Sequence, residues 1–137
     1  MTAAFGAAIL LAGCTAPAGF QALNRQATAD DNVPEGFTFE GTDVQAESAR
    51  LLASQDGVKY FAAQNKDSHE ACLVIVPEAK DSLWIAGCGS FARGGEVVTV
   101  TNATGLSAVL VTDGTDTDRW QSEGWTKVHD NVLTSRR

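Results

Sequence analysis

Cys72 and Cys88 bracket the stretch that most constrains this chain, CLVIVPEAKDSLWIAGC, in which a polar turn separates two short apolar runs. Val74, Ile75 and Val76 on one side, and Leu83, Trp84, Ile85 and Ala86 on the other, are dense in side chains that suit a pleated, buried surface. Both arms therefore read as central strands. Pro77-Glu78-Ala79-Lys80-Asp81 stops the first arm and faces water, which predicts an antiparallel hairpin. A register that sets Val74 against Ala86 and Val76 against Trp84 also sets Cys72 directly against Cys88. Directly opposed Cβ atoms lie about 4.5–5.5 Å apart, so a modest tightening brings two cysteines into bonding range. The alternative is a pair of buried thiols, since free cysteine behaves as a small hydrophobe. The compartment decides between them.

Evidence for the compartment lies at the N-terminus. Residues 1–24 carry no charged side chain, and the apolar run Ala7 to Ala12 ends in Gly13-Cys14. That run is too short to span a bilayer. It suits the apolar core and small-residue cleavage site of a secretory signal over 1–13, apart from a missing positive n-region, which fits a translation start upstream of Met1. Leu11-Ala12-Gly13-Cys14 resembles the lipobox of bacterial lipoproteins. The resemblance implies that Cys14 is lipidated and anchors the mature chain to the outer face of the cell membrane. An exported protein is expected to oxidise its remaining cysteines, so Cys72 and Cys88 are expected to be bonded. From Thr15 to about residue 40 the composition, rich in Ala, Thr, Gln, Asp and Gly without an apolar period, reads as a flexible tether. Phe37-Thr38-Phe39 alternates and could lie against the domain as an edge strand.

Residues 41–137, about 97 in all, suffice for one small core and no second domain. Seventeen acidic against ten basic residues give a formal net charge of -7, which argues against nucleic acid or anionic lipid head groups as partners. The acidity suits the solubility of a displayed domain, and a monomer is expected.

Thr42-Asp43-Val44-Gln45 fits a capping box, and Val44, Ser48, Leu51, Leu52 and Gln55 share one helical face up to a stop at Asp56-Gly57. The pattern predicts a helix there. Strands are predicted over Val58–Gln64, through both arms of the cysteine hairpin, over Val97–Thr101 and over Leu106–Thr112, with a last, broken strand from Trp125 to Leu133. The stretch 113–124 reads as a polar loop carrying Trp120. The expected fold is α+β: a five- to six-stranded antiparallel meander with one N-terminal helix packed on one face and one disulfide. From residue 48 onward the chain resembles small exported or membrane-attached proteins of actinobacteria. The resemblance rests on Asp56-Gly57-Val58-Lys59-Tyr60, Cys72-Leu73-Val74, Trp84 with Gly87-Cys88, Ala108-Val109-Leu110-Val111 followed by Asp113-Gly114, and Gly124-Trp125 with Asn131-Val132-Leu133. It implies a disulfide-bonded extracytoplasmic domain and brings no catalytic residues with it.

Chemistry-bearing clusters are few. His69, Glu70 and Cys72 with His129 could ligate zinc only through a thiolate that a disulfide consumes. Asp113, Thr115, Asp116 and Asp118 lack the glycine and ligand spacing of a calcium loop and read as a solvated turn. No metal or other cofactor is expected. Gly87-Cys88-Gly89-Ser90-Phe91 has the wrong order for a nucleophile elbow, and two cysteines this far apart make no C-x-x-C redox pair. No catalytic residue is assigned. The reading is a lipid-anchored, non-enzymatic binding or structural module of the cell envelope, whose partner is an envelope protein, polymer or small ligand. The alternative is an envelope hydrolase using surface carboxylates. Both faces of the hairpin are apolar and one helix can cover only one of them. Trp120 and Trp125, rimmed by Asp113, Asp116 and Asp118, are therefore the candidate binding residues; the competing reading has these tryptophans closing the core.

Overall fold

The computed structural model of the chain describes residues 19–34, 39, 41–79 and 82–137. Among these residues, eight antiparallel strands form two four-stranded sheets. The first holds β1 (Arg50–Gln55), β2 (Val58–Asn65), β3 (Glu70–Pro77) and β4 (Ile85–Ser90) in that order. In the second, β5 (Glu96–Thr101) and β6 (Leu106–Val111) are followed by β8 (Val132–Arg136) and then β7 (Thr126–His129) at the edge. β4 runs close along β5 and β1 lies near β7, so the two sheets meet at both edges as a flattened barrel.

The cysteine hairpin adopts the expected register, with Val74 opposite Ala86 and Cys72 opposite Cys88. The two cysteines are bonded across a Cα–Cα distance of 4.0 Å. Pairing stops at Ile75–Ile85. Trp84 therefore lies outside β4 and is 38% exposed rather than a core residue, beside Leu83 at 88%. β4 is an edge of its sheet rather than a central strand. The bond spans 16 residues, a loop for which cross-linking contributes about 3 kcal/mol. Cys88→Ala is accordingly expected to lower the unfolding free energy by about that amount in a urea titration. Equal stability of the variant and the oxidised parent would contradict the bond.

The expected N-terminal helix does not form. Residues 46–48 make one 3-10 turn, and the stretch read as the rest of the helix is β1, paired with β2 from Arg50–Ala62 to Gln55–Val58. Asp56 and Gly57 both have positive φ, 52° and 73°, and so form a two-residue turn of the mirror-image type that matches strand twist. The dipeptide read as a helix stop is thus a hairpin turn. A bulge between Leu51 and Ala53 explains the misleading spacing. Leu51 faces one side of the sheet, whereas Leu52 and Ala53 both pack toward the other. The count of five or six strands rises to eight for the same reason, and because the predicted last strand is a hairpin, β7 and β8.

Three apolar layers result. Between the sheets lie Tyr60, Ala62, Leu73, Ile75, Ala108, Leu110 and Val132, contributed by alternate residues of their strands. Outside the first sheet, Phe61, Ala63, Cys72 and Val74 are covered by Phe39, Val44 and Ala49. Outside the second, Val109, Val111 and Leu133 are covered by Trp120 from the short helix α1 (Asp118–Ser122). Both sheets are apolar on both faces, and each outer face has its own cover.

The tether expected over residues 14–40 does not hold for its described part, because Phe20 and Leu23 are buried in the inter-sheet core. Asp31 fastens the segment to the sheet. Its carboxylate accepts hydrogen bonds from both guanidinium ends of Arg25, from the Thr28 N–H at 2.7 Å and from the Leu51 N–H of β1 at 2.7 Å. The Arg25 hydrogen bonds, with help from those backbone N–H groups, hold the Asp31 carboxyl far below the usual carboxylate range. A carboxyl depressed on folding adds stability above its unfolded value near 3.9, and that stability drains away as pH falls toward the folded value. Asp31→Asn is therefore expected to lose roughly 1–3 kcal/mol at pH 7, with the gap to the parent narrowing steadily as pH falls from 4 to 2 without closing. Urea midpoints across that range provide the measurement; a constant gap would show that the ion pair is not the cause.

Candidate functional site

The inward-facing rows of the strands converge on one end of the barrel. β2 points Val58, Tyr60 and Ala62 into the core, and two residues on, the same alternation brings Gln64 to the mouth. His69 continues the inward row of β3, and Phe91 that of β4. Thr112 follows Leu110 from β6. The returning N-terminal segment closes part of this mouth with Phe20, whose ring stands edge-on to Phe91 at 5.4 Å. What stays open is a cleft of about 720 Å³, bounded by Gly19–Gln21, Gln64, Lys66, His69, Phe91 and the loop 112–115.

Hydrogen bonds hold these segments in place. The Asp113 N–H donates to the Gly19 carbonyl at 2.9 Å, and the Gln21 N–H returns a bond to Asp113 Oδ2 at 2.7 Å, joining residues 92 apart in sequence. Asp113 Oδ1 accepts from Asn131 Nδ2 at 2.9 Å, and Asn131, 1% exposed, also donates to the Val111 carbonyl. Across the cleft, Thr112 Oγ1 accepts from the Gly95 N–H at 2.8 Å and lies 3.2 Å from Thr115 Oγ1. His69 has φ of 53°, a left-handed conformation that costs a side-chain-bearing residue free energy. It is held there by the Phe91 N–H donating to its carbonyl at 2.7 Å and by ring contact with Phe91 at 5.5 Å.

Gln64 is the unusual member. It is only 8% exposed, yet among the described residues its side-chain amide has no hydrogen-bond partner. Its polar atoms are nonetheless not sealed in, so the amide opens onto the cleft. Water meets the amide there, and a ligand that enters the cleft has to replace that contact with one of its own.

The residues singled out from sequence fall elsewhere. Trp120 is 8% exposed and packs over Val109, Val111 and Leu133, with the Arg119 guanidinium 4.3 Å from its ring; Trp125 is half-buried beside it. They close the outer core of the second sheet. Of the expected aspartate rim, Asp113 turns toward the cleft, whereas Asp116 caps the Asp118 N–H at 2.9 Å. Cys14 lies outside the described residues. Among the described residues no group of three or more His, Cys, Asp or Glu side chains is placed to hold a metal ion. His129 Nδ1 accepts from the Asn131 N–H, and burial pushes its pKa down.

The sequence reading missed the cleft. Its one local sign was the phase of β2: a glutamine where the inward alternation calls for an apolar residue. Comparison of the chain with protein-family models, with curated proteins and with solved structures finds no match.

Proposed function

We propose that this protein is an exported lipoprotein, anchored through Cys14 to the outer face of the cell membrane, and that its barrel is a non-enzymatic binding module of the cell envelope that holds a small ligand in the cleft at its mouth. The observation that carries this reading is a cavity of about 720 Å³, a size within the usual range for small-molecule sites, onto which the Gln64 amide opens with no protein hydrogen bond among the described residues. The disulfide and the acidic balance of the chain support display outside the cytoplasm. The lipobox-like Leu11-Ala12-Gly13-Cys14 supports the anchor.

The two halves fit together. Gly19, on the rim of the cleft, is five positions from Cys14, and five residues reach at most about 18 Å. An anchored barrel would carry its cleft on the membrane side and the Leu83–Trp84 end of the β3–β4 hairpin on the far side.

Each half has its own test. Palmitate labelling of the parent should vanish in Cys14→Ala, and label that persists would remove the anchor. Titration of a set of small polar and apolar fragments, followed by amide shifts, should perturb Lys66, His69, Gly94 and Gly114 together. Shifts confined to other surfaces, or none at millimolar fragment, would remove the cleft as the binding site.

A further inference from the structure

We infer that the ligand of this cleft is a small carboxylate bearing an amide or hydroxyl next to its acid group, with the carboxylate met by Lys66 and His69 and the neighbouring polar group met by Gln64. The inference rests on the cleft being a ligand site and goes on to name the chemistry it selects.

The choice follows from which polar groups are already engaged. Among the described residues Asp113 is the one carboxylate in the lining, and both of its oxygens accept protein hydrogen bonds, from Gln21 N–H and from Asn131 Nδ2. Thr115 donates to the Thr112 carbonyl at 2.7 Å, and Thr112 Oγ1 serves Gly95. Lys66, in contrast, has no ion-pair partner among the described residues, and the His69 ring meets only the Phe91 ring. The groups left to bind are an ammonium, an imidazole and an amide, which together match an anionic acceptor beside one further hydrogen-bonding group. Gln21 and Asn24 add only exposed amides at the rim.

Shape sets the second half of the selection. Phe20 and Phe91 are each 3% exposed, so their rings are mostly spent on the protein's own core. A compact polar acid whose neighbouring group bonds the Gln64 amide keeps the contact that water makes there, whereas a ligand that covers the amide without bonding it loses that contact. The net charge of -7 opposes anions at long range, but beyond about 8 Å physiological salt screens it, and the local cation governs contact. The His69 ring lies against Phe91 at 5.5 Å, which keeps the imidazole at the mouth.

The test compares N-acetylalanine with its neutral methylamide as probes, titrated into the full chain and followed by amide shifts. N-acetylalanine should saturate, with shifts at Lys66, His69 and Gly94, and the methylamide should bind about tenfold more weakly or less. Lys66→Glu reverses an exposed charge outside the core. It should weaken N-acetylalanine about tenfold while leaving the melting temperature and methylamide binding unchanged. Gln64→Leu, which keeps the volume and removes the amide, should weaken both probes. Equal affinity for acid and methylamide, or an unaffected Lys66→Glu variant, would overturn the carboxylate assignment while the cleft remained a ligand site. If neither probe binds where other fragments do, the same assignment falls. If nothing perturbs the cleft, the binding-module reading falls with it.

Discussion

Gly89→Ala should be among the most damaging single-methyl changes available to this protein, lowering its stability by more than about 3 kcal/mol, the upper end of ordinary overpacking. A Cβ at Gly89 would collide with the Val97 carbonyl oxygen. The oxygen belongs to main chain and a Cβ has no rotatable bond to move it, so nothing can swing away, and relief requires β4 and β5 to part. That seam is where the two sheets meet, and parting it opens the inter-sheet core around Phe91 and Val100. Gly87 faces the same seam, but its Cβ would meet only side-chain methyls, Val100 Cγ2 at 2.8 Å and Val98 Cγ2 at 3.2 Å. Gly87→Ala should therefore cost clearly less, and the order of the two variants is the discriminating result. Urea unfolding followed by tryptophan fluorescence measures both. A Gly89→Ala protein as stable as the parent would mean that the strands do not approach this closely in solution.

Trp120→Ala should cost about 3–5 kcal/mol, the usual range for removing a large aromatic from a core, and lower the melting temperature by roughly 10–20 °C. The indole covers Val109, Val111 and Leu133, which alternate with the inward residues of β6 and β8 and have no other large cover among the described residues than half-buried Trp125. Removing it exposes the outer face of the second sheet, so the variant should bind a hydrophobic dye that the parent does not. Unchanged stability would return Trp120 to its role as a candidate binding residue. Arg119→Ala, which removes the cation stacked on the ring at 4.3 Å, should cost only about 0.5–1 kcal/mol, as expected for an exposed contact of this kind.

Trp120 also illustrates what local sequence can and cannot say. The apolar stretches of β3 and β6 announce that both faces of the sheets need cover, and that inference needs no knowledge of tertiary structure. Which segment covers which face depends on how two sheets are stacked. Phe39, Val44 and Ala49 went to one outer face and Trp120 to the other, with Trp125 half-buried beside it. β1 shows the same division. Leu51, Leu52 and Gln55 satisfy a helical stripe and also a bulged strand, and what separates the two is the pairing with Phe61 and Tyr60 across the Asp56-Gly57 turn. Backbone groups of an isolated helix find partners within the segment, whereas a strand's partners lie elsewhere, so period alone undervalues the strand.

The sequence by itself determined the cysteine hairpin, its register and the strands β2, β3, β5 and β6, because alternation, turn residues and opposed cysteines act over a few residues and leave one pairing that buries the apolar faces. Tertiary structure alone decided the docking of Phe20, the use of Asp31 as a clasp and the assembly of the cleft. Those features bring together the N-terminal segment, the ends of β2 and β4 and the loop after β6, with bonds such as Gln21 to Asp113 spanning 92 residues. No local propensity encodes such a meeting; it exists only once burial of the shared core has fixed where each strand ends.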